Sequence, residues 1–171
     1  MKRLTDPAAA AADRGAAVEL LLTRKPPEFA KTLRGLLDDP AVRRAAVRGL
    51  AAFPDAETPA AILKAYPEFT ADEKLDAVNT LAARKEWANA LLDAVEKKDI
   101  PRADVPVATA RQILALNDKV VSTRLEAVWG KLGTASREKV SLTKKWKAEL
   151  TEPVLAKADL ARGRALFTTH C

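Results

Sequence analysis

The stretches "AVRGLAAF" (46–53), "AVNTLAAR" (77–84) and "TARQILAL" (109–116) lie over one another so that Leu50, Leu81 and Ile113 share a column. The column recurs at spacings of 31 and 32 residues. A weaker copy, "AVELLLTR" (17–24), puts Leu21 in the same column, 29 residues before Leu50. A fixed period of this length points to stacked units, each burying its apolar face against the next.

The residues between copies punctuate helix pairs. In "DDP" (38–40), Asp39 is an N-cap candidate and Pro40 suits the first helical position, where a missing N–H costs nothing. "TADE" (70–73) reads as a capping box, with Thr70 and Glu73 each able to accept from the other's backbone. Asp104 with Pro106 is placed to open the third equivalent helix. Second helices are expected over roughly 26–37, 57–66, 86–98 and 118–130, and the short connections between them predict antiparallel neighbours.

Within these helices the apolar spacing defines one buried face. Val42, Ala46, Leu50 and Phe53 follow it in one copy, with Arg43, Arg44 and Arg48 expected on the wet side; Leu75, Val78, Leu81 and Ala82 follow it in the next. Trp87 and Trp129 fall near helix ends and read as core or edge packing.

Composition agrees. Of the 171 residues 48% are hydrophobic but only 5% aromatic. Alanine, leucine and the long charged residues that dominate lose little side-chain freedom in a helix. No run alternates β-branched residues, so no sheet is expected. No stretch of 18 apolar residues occurs, which excludes a transmembrane helix from the sequence. "MKRLTDPAAAAADRG" (1–15) lacks the leucine-rich core of a signal peptide, so the leader of an exported parent protein is expected upstream.

The net charge of +6 is uneven. Residues 1–130 carry 20 basic and 19 acidic side chains, whereas 131–171 carry 9 basic and 4 acidic. The excess therefore belongs to the C-terminal stretch. A solvated lysine-rich face is the commoner meaning of such a run, and a nucleic-acid footprint the rarer one.

After "AVWGKLG" (127–133) the period stops; Gly130 and Gly133 are placed to end a helix. "TASREKVSLTKKWKAEL" (134–150) starts another near Ser136, with Val140, Thr143, Trp146 and Leu150 on one face among Lys139, Lys144, Lys145 and Lys147. "TEPVLAKAD" (151–159) is expected to break that helix at Pro153 and act as a linker, and Asp159 to cap a last helix. In that helix Gly163, Phe167 and Cys171 sit at i, i+4 and i+8, on one face. His170 and Cys171 are the sole histidine and cysteine of the chain.

The period, with "DP" before "AVRRAAVRGL" (41–50), resembles the short bacterial HEAT-like repeats over about residues 8–130. That resemblance implies a right-handed α-solenoid of antiparallel helix pairs, used as a scaffold or protein-binding surface, with the first copy departing most, as a capping repeat does. The pattern G-x-x-x-F-x-x-x-C at Gly163, Phe167 and Cys171 is similar to the first helix of a class I c-type cytochrome domain. In that family the glycine admits a crossing helix and the aromatic packs over the haem edge. The cysteine opens C-x-x-C-H, whose thiols bond the haem and whose histidine ligates iron. Cys171 matches the first cysteine, and His170 does not match the axial ligand. The order of repeats, lysine-rich helix and "LTEPVLAKADLARGRALFTTHC" (150–171) resembles the exported haem-binding proteins of planctomycete-type bacteria, in which a dehydrogenase-like propeller and helical repeats precede the cytochrome domain.

The expected organisation is all-α. It comprises HEAT-like repeats over 1–130, a basic helix and linker over 131–158, and the start of a c-type cytochrome domain over 159–171, whose motif would continue beyond Cys171. The resemblance implies haem c in the parent protein, a periplasmic or exported location, and electron transfer. No cofactor is expected in these 171 residues themselves. The alternatives are a free-standing HEAT-like module with protein partners and, third, a basic HEAT-like DNA binder; nucleic acid is not the expected partner, because the positive charge is not repeated along the copies.

Catalytic signatures are missing. The sequence has no phosphate loop, no H-E-x-x-H and no G-x-S-x-G, and a single histidine and cysteine do not make a zinc site. The acidic pairs Asp38/Asp39 and Asp72/Glu73 fall at helix starts, where they complement the dipole. The chain is read as non-catalytic.

Overall fold

The computed structural model describes residues 2–6, 8–26, 28–132 and 137–170, and among them every regular element is helical. The chain divides into two units, one ending at Leu132 and the other beginning at Gly133.

The first unit holds α1 (Lys2–Thr5), α2 (Ala11–Arg24), α3 (Phe29–Gly35), α4 (Arg43–Leu50), α5 (Thr58–Ala65), α6 (Ala71–Leu81), α7 (Lys85–Lys97), α8 (Val107–Leu114) and α9 (Lys119–Val128). Short 3₁₀ turns sit at Tyr66–Glu68 and Arg102–Asp104. Each second helix falls inside its expected range or within a residue of it. Along the chain, α4 packs against both α2 and α6, while α5 packs against both α3 and α7, and α7 against α9. Cross-contacts α3–α4, α6–α7 and α8–α9 join the two series.

The aligned columns are the core. Val47, Val78 and Ala110 are fully buried, as are Leu50, Leu81 and Ile113. Leu21, from the weakest copy, is only partly buried, although Val18 beside it is fully enclosed. The capping box is formed on both sides: Glu73 N donates to Thr70 Oγ1 at 3.4 Å and Thr70 N to Glu73 Oε2 at 2.8 Å. Asp118 caps α9, its Oδ1 accepting from the amides of Val120 (2.9 Å) and Val121 (3.0 Å). Trp87 is core, and Trp129 is an edge residue whose indole N–H donates to Val105 O at 2.8 Å.

Four local expectations are corrected. α4 begins at Arg43 rather than Pro40, because Val42 at φ −132°, ψ −2° leaves helical geometry. Asp39 still closes the turn, accepting from Ala41 N on its side chain and from Arg43 N on its carbonyl. Arg43 is buried rather than wet: its Nε donates to Leu37 O at 2.6 Å and its Nη1 to Glu68 O at 3.1 Å, supplying loop carbonyls that would otherwise lack donors. Leu75 is exposed, since it lies about 120° around α6 from Leu81. Asp104 does not open α8. It ends a 3₁₀ turn and accepts the Tyr66 hydroxyl at 2.8 Å, while Pro106 takes the cap position. Burial, and then this bond to a carboxylate, push the Tyr66 phenol above its ordinary range.

The second unit holds α10 (Arg137–Glu149), α11 (Glu152–Leu155) and α12 (Leu160–His170). The expected linker is itself one helical turn, because Pro153 sits in the first turn of α11, where proline is tolerated. Asp159 caps α12, its Oδ1 accepting from Arg162 N at 2.9 Å. Every side chain described between 140 and 169 is exposed, so these helices have no core of their own. Gly133 and Ser136 lie outside the described residues.

Candidate functional site

In the first unit the polar chemistry is concentrated where one copy meets the next. Thr80 Oγ1 donates to Val47 O (3.1 Å), Arg84 Nη2 to Ala51 O (3.2 Å) and Gln112 Nε2 to Asn79 O (3.3 Å), each across 33 residues. Thr109 Oγ1 adds a bond to Asn79 Oδ1 at 2.6 Å. The alignment places Gly49, Thr80 and Gln112 in one column. Two of the three cross-link to the preceding copy. The third, Gly49, lets Leu22 and Leu33 approach within 3.2–3.4 Å of where a Cβ would stand.

Arginines carry the ionic part. Arg14, almost fully buried, donates Nε to Leu4 O at 2.9 Å and pairs with Asp39 at 2.5 Å. That hydrogen bond, opposed by burial and aided by Ala41 N–H, holds the Asp39 carboxyl below its usual range. Arg34 pairs with Asp55 and Glu57, and Arg124 with Asp93 and Glu96. Burial pushes the Asp55 carboxyl up, but hydrogen bonds from Arg34 and Thr58 outweigh it and leave the group lowered. Arg44, on the wet side as expected, bridges Asp72 (3.0 Å) and Asp76 (2.7 Å) on the next helix of its series. Of the two acidic pairs, Asp72 is engaged by Arg44 and Glu73 in its capping box at the start of α6, whereas Asp38 and Asp39 lie in the turn before α4, where Asp39 pairs with Arg14.

A groove of about 550 Å³ opens between α5 and α7, lined by the apolar Pro59, Leu63 and Trp87 and by the small Ala60 and Ala90. Arg84 borders it, its guanidinium carbon 5.2 Å from the Trp87 ring centroid. The Arg84 Nε–H is buried without an acceptor. An unpaired buried donor costs roughly 1–3 kcal/mol, and this is the only such side-chain atom among the described residues. No sequence reading singled out this groove. Its lining alanines, Ala56, Ala60 and Ala90, follow no motif around Trp87.

The residues expected to approach a haem lie on α12. Gly163 and Phe167 share a face of α12, as their spacing requires, but Phe167 is 70% exposed and no atom lies within 4 Å of a Cβ built on Gly163. Cys171 lies outside the described residues, and so does the side chain of His170. Gly163 and Phe167 would meet a haem only together with residues other than those described. Among the described residues no three His, Cys, Asp or Glu side chains gather as a metal site, and no helix is long and apolar enough to cross a membrane.

No family model, curated protein or solved structure matches the chain.

Proposed function

We propose that residues 1–130 form a right-handed HEAT-like α-solenoid of antiparallel helix pairs. In this reading the solenoid serves as a non-catalytic scaffold in an exported or periplasmic electron-transfer protein. The observation that carries the scaffold reading is the register of the buried columns. Residues aligned at 31–32 positions are buried together, and bonds spanning 33 residues tie the copies at 77–84 and 109–116 each to the one before. Such nearest-neighbour stacking is how repeat arrays build an extended surface for partners or adjacent domains. Engagement of Asp39, Asp55, Asp72, Asp76 and Glu73 in caps and ion pairs fits a non-catalytic role.

The haem part of the proposal rests on the resemblance of residues 159–171 to the first helix of a c-type cytochrome domain. Cys171 would form the first thioether bond, and Gly163 and Phe167 would meet the remainder of that domain. The parent gene tests it directly. Codons for x-x-C-H immediately after Cys171, and a haem-stained band from the extended chain that is weakened by Cys171→Ala, are expected. Codons without a second cysteine and histidine contradict the haem part and leave a HEAT-like interaction module.

A further inference from the structure

We draw no further inference here: the strongest candidate, the exposed surface patch of Leu142 and Trp146 on α10 with Leu150 just after it, is an unpartnered apolar face, and nothing in the structure shows what covers it.

Discussion

At the scale of single residues, Gly49 shows how tightly adjacent helices are set. Its absent side chain is the space used by Leu22 of α2 and Leu33 of α3. Gly49→Val should therefore overpack the contact and lower unfolding stability by about 1–3 kcal/mol, measurable by urea denaturation. Charge is as closely matched as volume. The Asp39 carboxyl is held low chiefly by Arg14, so its contribution is fully present above the ordinary carboxylate pKa and is lost as pH falls through the lowered value. Melting temperature should accordingly drop with increasing steepness below about pH 4. Asp39→Asn should lower stability at neutral pH by about 1–2 kcal/mol and flatten that acid limb, the small figure reflecting a carboxylate that is 30% exposed. An acid limb unchanged by the substitution would assign the pH dependence to other carboxylates. These matches were only partly legible. Hydrophobic spacing announced Leu50 and Leu81, because burial follows helical period. It misplaced Arg43, because a buried guanidinium is dictated by the carbonyls of loops, which no periodic pattern encodes.

Among the elements, starts were more readable than ends. Thr70 and Glu73 form the capping box their spacing requires, and Asp118 and Asp159 cap as their side chains allow. Gly130, at φ 109°, closes α9 as expected, but other helix ends depend on left-handed residues that are not glycine. Lys98 closes α7 at φ 68°, and Asp99 N donates to Ala94 O at 2.9 Å across the turn. Lys98→Gly relieves the Cβ clash of that conformation and should stabilise the protein by about 0.5–1 kcal/mol in thermal or urea unfolding. A destabilised variant would show that the lysine side chain contributes more than the strain costs. Proline was misjudged in both directions. Pro40 lies in a turn and not at the first helical position, whereas Pro153 lies in the first turn of a helix instead of breaking one. The local φ restriction permits both outcomes, and neighbouring packing chooses between them.

For the molecule as a whole, the period of the alignment is a period of burial and of hydrogen bonding, and that is what the sequence revealed best. It revealed the candidate sites least. Gly163 and Phe167 share a face as read, but on an open helix; the groove beside Arg84 is assembled from residues of two helices whose meeting leaves no motif. The central claim is that the aligned columns form one cooperative core in residues 1–132, while the helices of 137–170 have none. Native-state hydrogen exchange of the intact protein, followed by mass spectrometry, tests it most directly. Segments of α4 and α6 should exchange slowest, with protection roughly a thousandfold or more above that of α10 and α12. Equal protection of α10 and α12, or rapid exchange across α4 and α6, would contradict the account.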